Sequence, residues 1–148
     1  MTGVQTCALP IYRRQARIDF TLTLPGMFEL ANIQKLADEL GVDILAKVVF
    51  SFSPDIIMSP LALPKDVLHP WIDELLSDSI RNSSLRDILN QLKLRPTFSE
   101  QWPNEWSSAL AKGKQRVLQL ESIRQDELTL ADILLERKDA FEWYQSIG

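Results

Sequence analysis

The chain has 148 residues, 45% of them hydrophobic, and a formal net charge of −4. That apolar fraction is enough for a core, the length is that of about one domain, and the acidic balance argues against a dedicated nucleic-acid binder. No run is long and apolar enough to span a bilayer, so the expectation is a soluble, cytoplasmic protein.

Residues 1–11, MTGVQTCALPI, fit no native element. A secretory signal needs a basic start and an apolar core of about 7–15 residues. Here Gln5 and Thr6 interrupt the run, and the first basic residue is Arg13. Helical and strand periodicity are both missing. TGVQTCALPI resembles the translation of a common short-read sequencing adapter, and Tyr12, whose codons begin with T, is compatible with the adapter's final base. Residues 1–11 are therefore expected to be a disordered artefact, with a native N-terminal part missing before Tyr12. Cys7 is the only cysteine. The native remainder then has no disulfide, no cysteine zinc site and no iron–sulfur ligation of its own.

Residues 17–24, RIDFTLTL, alternate strictly. Ile18, Phe20, Leu22 and Leu24 fall on one face; Asp19, Thr21 and Thr23 fall on the other, which predicts a strand. Pro25-Gly26 ends it. Leu30, Ile33, Leu36, Ala37 and Leu40 then recur at helical spacing, with Gly41 placed for a left-handed cap. Residues 43–52, DILAKVVFSF, form a second strand, with Lys47 and Ser51 on its more polar face. Strand, helix and strand with short links make a βαβ unit with parallel strands. A doubly wound sheet would bury both faces. Thr21, Thr23, Lys47 and Ser51 on one face fit a barrel or half-barrel with a polar lumen, and equally a face whose threonines are simply good strand formers.

Beyond Phe52, SPDIIMSPLALP reads as an extended connection over apolar surface. A helix is predicted over 65–78, interrupted or restarted at Pro70. Ser83 or Ser84 caps a third helix with the stripe Leu85, Ile88, Leu89 and Leu92. Pro103 starts a long helix to about Gln125, with Trp106, Leu110, Gly113, Val117 and Leu120 on one side. Thr129 caps a last helix containing Ile133 and Leu134, with Phe141, Trp143 and Tyr144 near its end. The organisation is thus an artefact over 1–11, a βαβ end of a truncated barrel over 12–53, and a helical extension over 54–148. Two parallel strands and one helix do not make an independently stable domain, and bare strand edges expose unpaired backbone groups. Both points favour truncation.

Few residues signal chemistry. His69, the only histidine, has no Cys or second His nearby and reads as structural. The pairs Asp73-Glu74 and Asp126-Glu127 point in different directions on a helix and read as solvated. Trp102 and Trp106 lack the basic groove that single-strand binding needs. Arg13, Arg14 and Arg17 are a weak phosphate signal. No catalytic residue and no metal ligand is expected. The strongest signal is positional: in parallel α/β folds, ligands meet the carboxyl ends of strands and the loops after them. Those loops are Pro25-Gly26-Met27-Phe28 and Ser53-Pro54-Asp55, with Thr23 and Ser51 below them.

IDFTLTLPGMFELANIQKLADELGVDILAKVVFSFSP resembles the late strand–helix–strand of the partial barrel in the radical S-adenosylmethionine superfamily. IIMSPLALPKDV is similar to the segment after that barrel, and IRQDELTLADILLE…FEWY to the ending of such chains. The resemblance implies a parent enzyme that cleaves S-adenosylmethionine reductively to a substrate-abstracting radical, using a 4Fe-4S cluster. It implies Thr21, Thr23, Gly26, Lys47 and Ser51 as cavity-lining residues, with Lys47 meeting a carboxylate or phosphate of cofactor or substrate. It also implies a missing N-terminal barrel half as partner, and a small-molecule or peptide substrate. The cluster-binding cysteine loop and auxiliary-cluster cysteines are not in this sequence, so no cofactor is expected on this chain alone. Gly26 stands where relatives often have Asn. The alternatives are a non-catalytic helical interaction module and a piece of another β/α barrel enzyme.

Overall fold

Alternation produces the two strands, β1 (Arg17–Leu22) and β2 (Asp43–Val48). They pair in parallel, with Ile18 opposite Ile44, Phe20 opposite Ala46 and Leu22 opposite Val48. Register partners share a face, so one face is apolar and the other carries Asp19, Thr21 and Lys47. Leu22, Ile44 and Val48 are buried in the core. The computed structural model describes residues 16–48, 53–125 and 127–148. Residues 1–15, with Cys7, and 49–52, expected to prolong the second strand, lie outside the described residues. β1 stops two residues short of the predicted end. Leu24 enters a 3-10 turn, Pro25–Glu29, and its N–H donates to the Met58 carbonyl at 2.6 Å.

Helix α1 (Leu30–Leu40) crosses between the strands and ends at Gly41, whose φ of 64° is the expected left-handed cap. Its covered line is Leu30, Gln34 and Ala37. Leu36 and Leu40, expected on the covered stripe, are 43% and 46% exposed. Positions 30, 34 and 37 line up along a 3.6-residue repeat, whereas 36 and 40 fall on its flank. Gln34 donates to the Ser79 carbonyl at 3.0 Å and accepts from the N–H groups of Arg81 (2.6 Å) and Asn82 (2.7 Å).

Residues 59–63 run through the core rather than over it, while Ile56 and Met58 are 40% and 39% exposed. Ile57, Ser59, Pro60, Leu61, Ala62 and Leu63 are buried, and the Ser59 hydroxyl accepts from Leu61 N–H at 3.3 Å. Helix α2 (Lys65–Asp78) continues through Pro70, where an interruption was expected. Pro70 and Asp66 are both exposed, so the missing backbone bond falls on the solvent side. Leu68, Trp71 and Ile72 hold the opposite side in the core.

Helix α3 (Ser83–Leu94) is capped by Asn82, not by either serine: Asn82 Oδ1 accepts from Leu85 N–H at 3.2 Å. Its predicted stripe, Leu85, Ile88, Leu89 and Leu92, is buried. α3 lies along β2 and packs on α2. Arg86 donates to the Leu76 and Ile80 carbonyls, both at 2.7 Å, satisfying acceptors at the end of α2. A short helix, α4 (Phe98–Gln101), follows; the Glu100 carboxylate accepts from Thr97 N–H and hydroxyl at its start.

Helix α5 (Trp106–Arg124) ends at Gln125, which takes a left-handed φ of 53°. Of its predicted covered side, Leu110 and Gly113 are buried, while Leu120 is 52% exposed. Two helices, α6 (Leu130–Leu134) and α7 (Lys138–Ser146), stand where one was expected. Thr129 caps α6 with a reciprocal Asp132 contact. The break between them places Arg137 against Glu74 at 2.7 Å and over the Trp71 ring at 4.9 Å. Trp71 in turn meets Phe28, ring centroids 4.7 Å apart.

Gly113 marks the closest crossing. The Asp55 backbone passes so near that a Cβ at 113 would collide with the Asp55 carbonyl. Replacing a helical Gly by Ala ordinarily gains about 1 kcal/mol. Here overpacking reverses the sign: Gly113→Ala lowers stability by roughly 1–3 kcal/mol. Urea unfolding reads this as a reduced midpoint, and an unchanged or raised midpoint would contradict the crossing.

At the chain's end Lys114 donates to the Tyr144 (2.8 Å) and Ile147 (3.1 Å) carbonyls and sits 4.7 Å from the Tyr144 ring centroid. The Tyr144 hydroxyl is buried without a hydrogen-bond partner. Burial, with Glu121 nearby, pushes the phenol from 10.0 up to about 12. The folded chain therefore holds this proton longer than the unfolded one. The associated stability is complete below about pH 10 and is lost as pH rises through about 12. Tyr144→Phe removes an unpartnered buried group, so its melting temperature stays level or rises. It also deletes the late tyrosinate step in ultraviolet pH titration; a clear loss of stability would mean that the hydroxyl has a partner.

Candidate functional site

The candidate site is built at and below the carboxyl ends of β1 and β2. Thr21 and Lys47 are cross-strand register partners, both exposed on the polar face of the sheet. Alternation alone explains this: Leu22 and Val48, one residue on, turn into the core. Lys47 has no ion-pair or hydrogen-bond partner among the described residues. The pair thus offers an ammonium and a hydroxyl side by side, suited to a carboxylate or phosphate oxygen.

Thr23 and Gly26 form a second pair with a different character. Thr23 Oγ1 accepts from Gly26 N–H at 3.0 Å, and the Thr23 carbonyl accepts from Met27 N–H at 3.2 Å. The hydroxyl that was expected to face a lumen thus closes the turn after β1. Gly26 is buried; a Cβ there would lie 3.0 Å from Thr23 Oγ1 and 3.3 Å from Phe20 Cζ. Its φ is not in the left-handed region. Glycine is needed here for close approach and not for an unusual backbone angle. No hydrogen bond joins the Thr21–Lys47 pair to the Thr23–Gly26 pair. Ser51, the fifth expected lining residue, lies outside the described residues.

The loop after β2, expected at the site, brings in a partner that the sequence did not single out, Arg116. Ser53 donates to Asp55 Oδ1 at 2.5 Å, and Arg116 of α5 donates to Asp55 Oδ2 at 2.6 Å. The Ser53 hydrogen bond, and then Arg116, hold the Asp55 carboxyl below its ordinary range against the opposing effect of burial. Beside them lies a polar cleft of about 330 Å³ lined by Ser53, Asp55, Glu105, Ser108 and Lys112. Arg116 is distant in sequence from Asp55, and no local pattern announces the pair. A loop position after a parallel strand was the one available signal, and it pointed to Ser53-Pro54-Asp55 but not to Arg116.

His69 is half-buried on α2, and burial first, then Lys65 and Lys93, lowers its pKa. Among the described residues no group of three His, Cys, Asp or Glu is placed to hold a metal ion. No helix among them is long and apolar enough to cross a membrane. Trp102 packs edge-on against Phe98, ring centroids 5.5 Å apart, and Trp143 and Tyr144 are buried. Comparison with models of protein families, with curated proteins and with solved structures finds no match for this chain.

The two pairs differ in how they answer substitution. Thr21→Val and Lys47→Ala change an exposed surface and leave unfolding free energy within about 0.5 kcal/mol of wild type. Gly26→Ala must displace Thr23 or Phe20 and costs on the order of 1 kcal/mol. Denaturant midpoints measured on the three variants test the order; a Lys47→Ala loss as large as that of Gly26→Ala would show Lys47 to be structural.

Proposed function

We propose that this chain is the C-terminal part of a radical S-adenosylmethionine enzyme, the βαβ end of a partial (β/α) barrel with a helical extension. The observation that carries the reading is the polar face of a parallel βαβ unit, on which Thr21 stands beside Lys47, unpaired among the described residues. In a closed barrel that face would line the lumen, and the loops after β1 and β2 would border its mouth. The exposed apolar flank of α1, Leu36 and Leu40, is consistent with a further helix beside it in the parent.

The cluster does not fit this chain. It requires several cysteine thiolates, and the sequence has Cys7 alone. The missing N-terminal barrel half would hold it, and there the cluster would supply the electron for cofactor cleavage. This chain's own share is narrower: Lys47 would neutralise a carboxylate or phosphate of S-adenosylmethionine or of the substrate, and Thr21 would orient it. Thr23 and Gly26 would shape the cavity wall from behind, through the turn they close. The substrate, a small molecule or a peptide, would be met at the cleft beside Asp55 and Arg116.

A second reading is a non-catalytic interaction module. It is favoured by an apolar groove of about 220 Å³ between α5 and α6, lined by Met58, Val117, Leu120, Leu128, Leu130 and Ile133. Leu120 and Leu128 are 52% and 64% exposed there.

Genomic sequence upstream of the Tyr12 codon separates the two. The enzyme reading predicts an open frame with a Cys-x3-Cys-x2-Cys loop about half a barrel before Arg17. In that complete protein Lys47→Ala weakens S-adenosylmethionine or substrate binding by about tenfold or more, the scale of one lost charge-assisted hydrogen bond. An in-frame stop just upstream, or unchanged binding and cleavage by the Lys47→Ala protein, would overturn the corresponding part.

A further inference from the structure

The two strands differ at their outer edges. α3 lies along β2, whereas along β1 only β2 and the following turn pack closely among the described residues. Side-chain burial shows this at the start of the strands, where Ile44 is 4% exposed and its register partner Ile18 only half-buried; further along, Phe20 and Ala46 are both half-buried and Leu22 and Val48 both buried. On the opposite face Arg17 and Asp19 are 56% and 68% exposed and pair with each other at 2.9 Å. An edge of this kind is a template for another strand.

We propose that the outer edge of β1 pairs with the same edge of a second copy of this chain, antiparallel, about a two-fold axis at Ile18. The register follows from faces and charges. Keeping both apolar faces on one side requires the axis to pass through a residue and not between two. An axis at Asp19 sets two carboxylates directly opposite each other, which is destabilising. An axis at Phe20 sets Asp19 against the partner's Thr21, with no charge matched. The axis at Ile18 sets Arg17 against the partner's Asp19 and Asp19 against the partner's Arg17, with Ile18 against the partner's Ile18. One self-complementary patch thus supplies two charge pairs and an apolar centre, as a two-fold interface requires.

The pairing turns a two-stranded sheet into the four-stranded order β2–β1–β1–β2, above the number at which a sheet with one covered face becomes stable by itself. It covers Ile18 and Phe20 and brings the two α1 helices to the same face. The inference uses only the edge of β1 and its charges, and concerns this chain by itself: in the parent barrel proposed above, the same edge would be taken by the strand before β1.

Sedimentation equilibrium of the full chain at low salt tests it, with far-ultraviolet circular dichroism as a check on folding. Wild type is expected to dimerise. Asp19→Arg places like charges opposite each other and raises the dissociation constant about tenfold or more. The double exchange Arg17→Asp with Asp19→Arg restores the opposition and the dimer. All three keep the same dichroism, because both side chains are exposed. Three results would each overturn the proposal: a wild-type chain monomeric at every concentration, an Asp19→Arg chain that dimerises like wild type, or a folded double variant that stays monomeric.

Discussion

One buried amide couples the two halves of this chain. Gln34 lies on the covered line of α1, inside the strand–helix–strand unit, and every hydrogen bond of its side chain runs to the turn between α2 and α3. Its carbonyl oxygen takes two backbone N–H groups and its NH2 gives one bond, so most of its capacity is used. Leaving such groups unmatched away from water costs about 1–3 kcal/mol. By fixing Asn82, the amide sets where α3 begins, because Asn82 is the residue that caps it. α3 then lies along β2. Cover for the second strand therefore depends on a contact made from the helix that precedes it.

Other crossings close the same side. Leu24 N–H bonds to Met58, and the Asp55 backbone lies on Gly113. Phe28, Trp71 and Arg137 stack in series between the turn after β1, helix α2 and the start of α7. All of these bind the carboxyl end of the sheet and its apolar face to the helices. The polar face and the outer edge of β1 have no such cover among the described residues. The side on which Thr21 and Lys47 stand is thus the side left accessible, while the helices are committed to holding the opposite side.

Much of the fold was legible because it follows from short-range pattern. Alternation gave β1 and β2, a glycine fixed the end of α1, and the stripe Leu85, Ile88, Leu89 and Leu92 gave α3. What failed did so where a distant partner decided the outcome. Asn82, not a serine, caps α3 because Gln34 holds its N–H. Pro70 leaves α2 unbroken because its lost bond faces solvent while Leu68, Trp71 and Ile72 anchor the other side. One expected terminal helix became two because Arg137 turns toward Glu74 and Trp71. The site was partly legible in the same sense. Strand parity placed Thr21 and Lys47 together, but Thr23, one step beyond the strand, is turned back by its bond to Gly26. Arg116 joins Asp55 from a remote helix, which no spacing rule could foresee.

The central claim is that the strand–helix–strand unit and the helices behave as one body through Gln34. Residue-resolved amide hydrogen exchange of Gln34→Ala against wild type tests it most directly. The account predicts that β2, α1 and α3 lose protection together, by about 10- to 100-fold, the equivalent of roughly 1.4–2.7 kcal/mol. Loss confined to the turn over residues 79–82, with β2 and α1 protected as before, would contradict it.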